Sequence, residues 1–460
     1  MAETTSEKRL QNAIFMYMCL FTGFFFLAIP FACLDSGEGL DVFSHYWRLL
    51  TSPSKLITDY FALGSMGATF LNAAVCGLFC NVVTWLSKAR TDSMLLAGYF
   101  LVVAHCFYGL NIINMIPPFL GVFVYSLVMR RPFHEDITLA MFATSLGPFI
   151  SDFLFRYPNR EVVFGEPNVT LTGILIAVSF SILAGFLIPA LMPGTSKMHE
   201  GHNLYKAGLA IGLFGMFAHG FFYNTLDVPT PDRVYYPNDL YTMSGEDCIL
   251  FADVFFFVVF AVTFVLGYLS NGKSFKHLKK LWLCDSWQDD FPEKFGIGPT
   301  LINVAIYGFC VLLYVNAAFF LTEGVGFTGP TVGVVIAAIT FSAAGQTPRN
   351  VWPIALGYAI LYGFSLSVCA LSGRDLSWTL TTQVYINGLA FATGLCPFAG
   401  RYGWKVGVAA GILHAILCTS TAAMHGGFVL YNGGLTSGLT AMLLLPILNF
   451  YEIKPKRGDL

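Results

Sequence analysis

The chain has 460 residues, of which 56% are hydrophobic and 11% charged, and a mean hydropathy of +0.66, which places it outside the soluble globular class. A formal net charge of −2, from 25 basic and 27 acidic residues, leaves no basic excess to hold a phosphate backbone, so no nucleic-acid partner is expected. The eleven cysteines are odd in number and form no CxxC pair, and they read as buried thiols rather than as zinc ligands or a disulfide frame.

A helix needs about 20 apolar residues to cross the hydrocarbon layer. Runs of that kind lie at roughly 12–33, 61–86, 93–109, 116–129, 137–155, 170–192, 204–225, 249–270, 297–321, 328–345, 351–371, 378–398, 404–423 and 427–450. The first is too long for a signal-peptide core and is read as a retained span. With a cytoplasmic N-terminus, fourteen crossings put nineteen Lys and Arg inside and six outside, the expected bias. Both termini are therefore predicted to be cytoplasmic, in a multi-pass protein of the cell (inner) membrane.

Four patterns recur in the same order in both halves. Gly67-x-Thr69-x-x-Asn72 returns as Gly298-x-Thr300-x-x-Asn303, and Gly109-x-x-x-x-Asn114-x-x-Pro117-x-x-x-Gly121 as Gly345-x-x-x-x-Asn350-x-x-Pro353-x-x-x-Gly357. Phe142-Ala143-Thr144-x-Leu146-x-Pro148-Phe149 is matched by Phe391-Ala392-Thr393-x-Leu395-x-Pro397-Phe398. Leu204-Tyr205-x-x-Gly208-Leu209 is matched by Leu430-Tyr431-x-x-Gly434-Leu435. The offsets are 231, 236, 249 and 226 residues, so loops changed length while the order held. Seven segments per unit start the second copy from the opposite face. The expected fold is thus an all-α integral membrane protein of about fourteen transmembrane segments, in two inverted seven-segment repeats with broken or re-entrant helices. Residues 1–230 form the first repeat, 231–248 an extracytoplasmic connector and 249–460 the second repeat.

The Phe-Ala-Thr-x-Leu-x-Pro-Phe and Leu-Tyr-x-x-Gly-Leu patterns resemble those of a bacterial and archaeal family of polytopic membrane proteins carrying a duplicated domain of unknown function. That resemblance implies no activity. The seven-plus-seven count is similar to uracil and anion carriers, in architecture alone.

Inverted repeats commonly hold solute near the midplane, at broken helices. Pro148 and Pro397 are the expected helix breaks, with Thr144, Thr393 and the freed carbonyls lining a polar path. Asn114 and Asn350 read as N-caps ahead of a first-turn proline and, with the free N–H groups of the helix starts they cap, as contacts for an anion or carbonyl oxygen of the solute. Thr69, Asn72, Thr300 and Asn303 share helix faces at i and i+3, suited to interhelical bonds or solute. Gly208 and Gly434 read as packing positions, and Tyr205 and Tyr431 as gating or interfacial-belt residues near the helix mouths. Asn203 and Asn432 flank these tyrosines at non-equivalent positions. Among ionisable groups inside spans, Asp253 is the candidate for proton coupling, ahead of Asp152, His105, His219 and His414. His199-Glu200-Gly201-His202 has the wrong spacing for a metalloprotease pair, and His134-Glu135-Asp136 reads as a solvated loop.

The function expected from these features is a transporter or channel for a small polar solute, neutral or a small anion, passing between the two repeats. No catalytic residue, metal or cofactor is expected. The partners are the solute and the lipid bilayer, and a homo-oligomer is compatible with the sequence. The alternative is a membrane enzyme or assembly protein acting at the lipid interface.

Overall fold

The computed structural model describes residues 5–231, 246–287, 289–322, 324 and 326–456. Of the expected connector at 231–248, residues 232–245 lie outside them. Within the described residues all helices and turns follow one plan twice.

In the first half a long α1 (Thr5–Ser36) leads to an amphipathic α2 (Val42–Leu50) and a single turn, α3 (Tyr60–Leu63). Then follow α4 (Met66–Ser87), α5 (Ser93–His105) and α6 (Ile112–Val128). A broken rod comes next: α7 (Ile137–Ala143), a tight turn at 144–146 and α8 (Gly147–Phe155). The half closes with α9 (Leu171–Met198) and α10 (Lys206–His219), which a wide turn prolongs to Thr225. In the second half the same places are taken by α11 (Glu246–Ser270), α12 (Leu278–Leu283), α13 (Phe291–Phe295), α14 (Ile297–Thr322), α15 (Gly329–Ala338) and α16 (Pro348–Leu371). They continue through α17 (Gln383–Ala392), α18 (Cys396–Tyr402), α19 (Trp404–Met424) and α20 (Asn432–Phe450).

Nine helices among the described residues are long and apolar enough to span a bilayer: α1, α4, the rod of α7 and α8, α9, α11, α14, α16, α19 and α20. This is a multi-pass membrane protein. Of the other expected segments, that at 204–225 forms α10, with 14 residues before its wide turn, and that at 378–398 falls in the broken rod of α17 and α18, with 10 and 7 residues either side of the turn at 393–395. Those at 93–109, 116–129 and 328–345 form α5, α6 and α15, with 13, 17 and 10 residues. Beyond the ends of α5 and α15 the chain turns at Gly109 (φ +147°) and Gly345 (φ +137°), through backbone angles that only glycine tolerates easily.

Packing repeats as well. α1 lies on α4 as α11 lies on α14, and α6 on α9 as α16 on α19. The last two pairs touch backbone to backbone. A Cβ on Gly121 would sit 1.9 Å from the Ser181 carbonyl oxygen, and one on Gly357 would sit 2.5 Å from that of Val408. Only glycine permits so close an approach.

Candidate functional site

The duplicated asparagines hold the turns that end the short helices. Asn72 Nδ2 donates to the carbonyls of Cys106 (2.9 Å) and Leu110 (2.8 Å). Asn303 Nδ2 donates in the same way to Ser342 (2.8 Å) and Gln346 (2.9 Å). Each thereby supplies donors to two carbonyls stranded where α5 or α15 stops. Asn114 and Asn350 are not the N-caps expected from sequence. The caps are Asn111 and Thr347, and Asn114 and Asn350 stand at the third helical position, where their Oδ1 atoms accept from the cap N–H at 2.8 and 2.9 Å. Their Nδ2 groups reach the carbonyls of Gly109 and Gly345, closing the same turns. Thr69 and Thr300 bond back to the carbonyls of Ser65 and Gly296 within or next to their own helices. The four asparagines are thus engaged in building the turns, and the two threonine hydroxyls in bonds at the starts of their own helices.

The two breaks place Thr144 and Thr393 at the heart of the molecule, each donating to the carbonyl three residues back, Met141 and Ala390 (both 2.6 Å). Pro148 and Pro397 stand in the first turns of α8 and α18. The carbonyls they deprive of a donor, those of Thr144 and Thr393, accept from the N–H of Gly147 and Cys396. The carbonyls one residue on are used differently. Leu430 N–H donates to Ser145 (2.9 Å) and Leu204 N–H donates to Gly394 (3.0 Å), so each half inserts the segment before its last helix into the break of the other.

These segments cross at Gly208 and Gly434. A Cβ on Gly208 would lie 2.5 Å from Gly434 Cα, and Gly212 and Gly438 receive Leu435 and Leu209 in a reciprocal fit. Tyr205 and Tyr431 are carried inward by this crossing. Far from forming an interfacial belt, they are 0% and 1% exposed, with ring centroids 5.4 Å apart. The belt expectation assumed that the helix began at the membrane edge, whereas residues 199–205 and 425–431 first run inward as non-helical chain. Tyr205 OH donates toward the carbonyls of Ala337 (3.2 Å) and Ala390 (3.5 Å). Tyr431 OH has no partner, nor do the hydroxyls of Tyr108 and Ser145 and Nε2 of His105 nearby. Buried polar atoms without partners are few in folded proteins, and here several meet at one crossing.

A cavity of about 240 Å³ descends to this crossing from the end of α19. Leu56 and Ile57 of the first half line it together with Phe391, Leu430 and Gly433. Its polar lining is Asn387, Thr419 and Asn432. Asn387 Oδ1 accepts from Gln383 Nε2 (2.5 Å), whose own Oε1 accepts from Thr328 (3.1 Å), and Asn432 Oδ1 pairs with His425 Nε2 (2.9 Å). Apart from Asn432, noted only as the flank of a tyrosine, none of these carried a signal in the sequence. At the corresponding offsets, Asn387 and Asn432 face Thr138 and Lys206 in the first half.

The remaining candidates lie elsewhere. Asp253 sits part-buried on α11, its Oδ1 accepting from Asn316 Nδ2 at 2.7 Å, away from the crossing. Asp152 is paired with Arg156 (2.6 Å) and accepts from Tyr223 OH (2.6 Å). His414 Nδ1 bonds Tyr358 OH (2.7 Å). Glu135 and Asp136 pair with Arg131 at one edge of the molecule. No cluster of His, Cys, Asp or Glu among the described residues has the makings of a metal site.

The chain matches a family described as "Protein of unknown function (DUF1576)" over residues 39–224 and 270–450, and it belongs to that family. The two matched segments agree with a duplicated domain. A stretch of 85 residues is 32% identical to "Putative germin-like protein subfamily 1 member 2" of Arabidopsis thaliana, covering 18% of this chain and 37% of that protein. The chain spans about a third of that relative's length, and the likeness carries no activity to it. No solved structure matches.

Proposed function

We propose that this member of a family of unknown function is a membrane transporter for a small polar solute, neutral or anionic, which passes between two inverted repeats at the crossing of α10 and α20. The observation that carries the reading is the reciprocal insertion of each half into the other's helix break, next to a cavity that carries Asn387, Thr419 and Asn432 in a mostly apolar lining. Broken helices at a repeat interface are where transporters of this architecture hold solute. The first turn of α20 borders the cavity, and a helix N-terminus favours an anion or a carbonyl oxygen.

Inversion is supported by the directions of the last helices. α10 begins next to His202, which accepts from Arg401 Nη1 (3.2 Å), and it ends at His219, against which Gly426 packs. α20 begins just beyond Gly426 and ends before Lys456, whose N–H donates to the Arg401 carbonyl (2.6 Å). Equivalent helices therefore run in opposite senses. On this reading each half makes five crossings plus a hairpin, α5 with α6 or α15 with α16, which together account for the fourteen segments. The basic loop at Lys273–Lys294 and both termini are then cytoplasmic.

Thr144, Thr393 and the tyrosine pair belong to the part of the path that is closed in this conformation, and Asn387, Asn432 and Thr419 to the part that is open. Uptake into proteoliposomes across a panel of neutral solutes and monovalent anions tests the function. Flux that falls in Asn387→Ala and Asn432→Ala is expected, and no flux for any class refutes transport. Tags after Met198 and Met424, probed in intact cells, test the inversion: opposite sides are expected, and the same side withdraws it.

A further inference from the structure

Asp59, in the connection between the α1 and α4 spans, is 0% exposed. Its Oδ1 accepts from the N–H groups of Phe61 (2.9 Å) and of Gly329 (3.1 Å), the first residue of α15 in the other half. Its Oδ2 has no partner. None of the ion pairs of the described residues includes it. The charged groups on surrounding elements are directed elsewhere. His45 faces Glu38, Arg48 lies over the Phe164 ring, and Lys55 Nζ reaches the Pro231 carbonyl and the Phe428 ring. α4, α15 and α17 bear no charged residue. An unpaired carboxylate so deeply buried is strongly disfavoured unless it takes up a proton.

The duplication supplies an internal control. At the 231-residue offset Asp59 corresponds to Asp290, and at the 236-residue offset Gly329 corresponds to Ser93. Asp290 reaches the start of α5 just as Asp59 reaches the start of α15, but both its oxygens are satisfied. Oδ2 accepts from Ser93 Oγ (2.5 Å) and Oδ1 from Glu293 N–H (2.9 Å), and the residue is partly open to solvent. In the other copy that serine is replaced by glycine, and a Cβ there would stand 2.5 Å from Asp59 Oδ1. One copy is thus a satisfied cap, and the other lacks the donor its second oxygen needs.

We propose that Asp59 is a proton-binding site, carrying a proton on Oδ2 in this closed arrangement and releasing it when the start of α15 draws away. On release the Oδ2–H bond breaks, its electron pair stays on the carboxylate, and the proton passes to water entering the cavity. Leu56 and Ile57 wall that cavity, and the chain Asn387, Gln383, Thr328 links its lining to the residue before Gly329. Burial also raises the Asp59 carboxyl to about 7, against the opposing pull of the backbone donors. Two halves that meet at Asp59 and Gly329 would in this way move apart with loss of a proton. The coupling role rests on the transport reading; proton binding does not.

The test is difference infrared titration of the full chain in lipid nanodiscs. A protonated-carboxyl band that titrates near neutrality is expected in wild type and in Asp290→Asn, and is expected to be lost in Asp59→Asn, whose amide mimics the neutral acid. Should Asp59→Asn fail to fold, Asp59→Thr keeps the cap on Phe61 and serves in its place. Absence of the band in wild type, or its survival without Asp59, overturns the proposal. In proteoliposomes, Asp59→Asn is expected to retain downhill exchange and lose accumulation driven by a pH gradient. Unchanged accumulation with the band lost overturns coupling alone, whereas absence of wild-type flux counts against transport and leaves the band assignment standing.

Discussion

Replacing Gly208 by alanine tests the crossing on which the proposed path depends. The added Cβ would lie 2.5 Å from Gly434 Cα and 2.7 Å from its carbonyl carbon, both backbone atoms that no side-chain rotation can move. Ordinary contact begins near 3.4 Å, so α10 and α20 must separate by about 1 Å, an overpacking of roughly 1–3 kcal/mol. Alanine returns about 1 kcal/mol through its better helix propensity. Separation also stretches the Leu204–Gly394 and Leu430–Ser145 hydrogen bonds, at about 1 kcal/mol each. The net expectation is a loss of about 2–4 kcal/mol. Gly363, exposed on α16, is the control, because a Cβ added there would meet nothing within 4 Å, and Gly363→Ala should stabilise by up to about 1 kcal/mol. Denaturant unfolding in mixed micelles measures both. Equal effects of the two substitutions would mean that the helices do not cross at Gly208, and the reasoning about the path would fall with it.

Asn303→Ala should destabilise by roughly 2–4 kcal/mol, because it strands two buried carbonyls and the indole N–H of Trp282; an unfolding midpoint equal to that of wild type would count against its scaffold role. Tyr431→Phe removes a hydroxyl that has no partner and should leave stability within about 0.5 kcal/mol, while solute flux changes. An unfolding loss without a flux change would make that tyrosine purely structural. Burial pushes the Glu38 carboxyl up, but hydrogen bonds from Ser65, His45, Ser36 and Cys33 outweigh it and hold the group below the usual range. Its contribution to stability is therefore full above the ordinary carboxylate pKa and lost as pH falls through the depressed one. Glu38→Gln should flatten the acid limb of the unfolding profile, and an unchanged limb would show that other groups dominate it.

The long spans are legible because burial in lipid leaves a plain apolar signal, and the duplication because its glycines, asparagines and prolines serve backbone geometry that both halves need. The cap assignment fails at Asn114 and Asn350 for a local reason. Asn-x-x-Pro suggests a proline in the first turn, yet Pro117 and Pro353 lie inside their helices, and in the second half the first turn belongs to Pro348. Tyr205 and Tyr431 mislead because aromatic residues at the edge of an apolar run resemble an interfacial belt, and a non-helical inward run leaves no periodic trace. Asp59 is invisible in the sequence, since nothing in its immediate surroundings there shows that α15, some 270 residues away, covers it.

A broader point about the proposed site follows from which residues are duplicated. Asn72 with Asn303, and Asn114 with Asn350, make the same bonds in both halves, because each half must close the same turn. Repetition of polar residues therefore marks the scaffold at least as strongly as it marks a path for solute. Two polar residues of the cavity have unlike counterparts, Asn387 being matched by Thr138 and Asn432 by Lys206, and outside its lining the partner of the duplicated aspartate differs, Gly329 beside Asp59 and Ser93 beside Asp290. If the two halves alternate in exposing the crossing, these unmatched positions are where the two open states must differ in solute affinity or charge. Exchanging the pair as Asn432→Lys with Lys206→Asn should then invert the preferred direction of flux more strongly than any change at a duplicated asparagine, measured with the solute gradient reversed across oriented proteoliposomes. Identical directional ratios in the exchanged and wild-type proteins would return the unmatched residues to the status of neutral divergence.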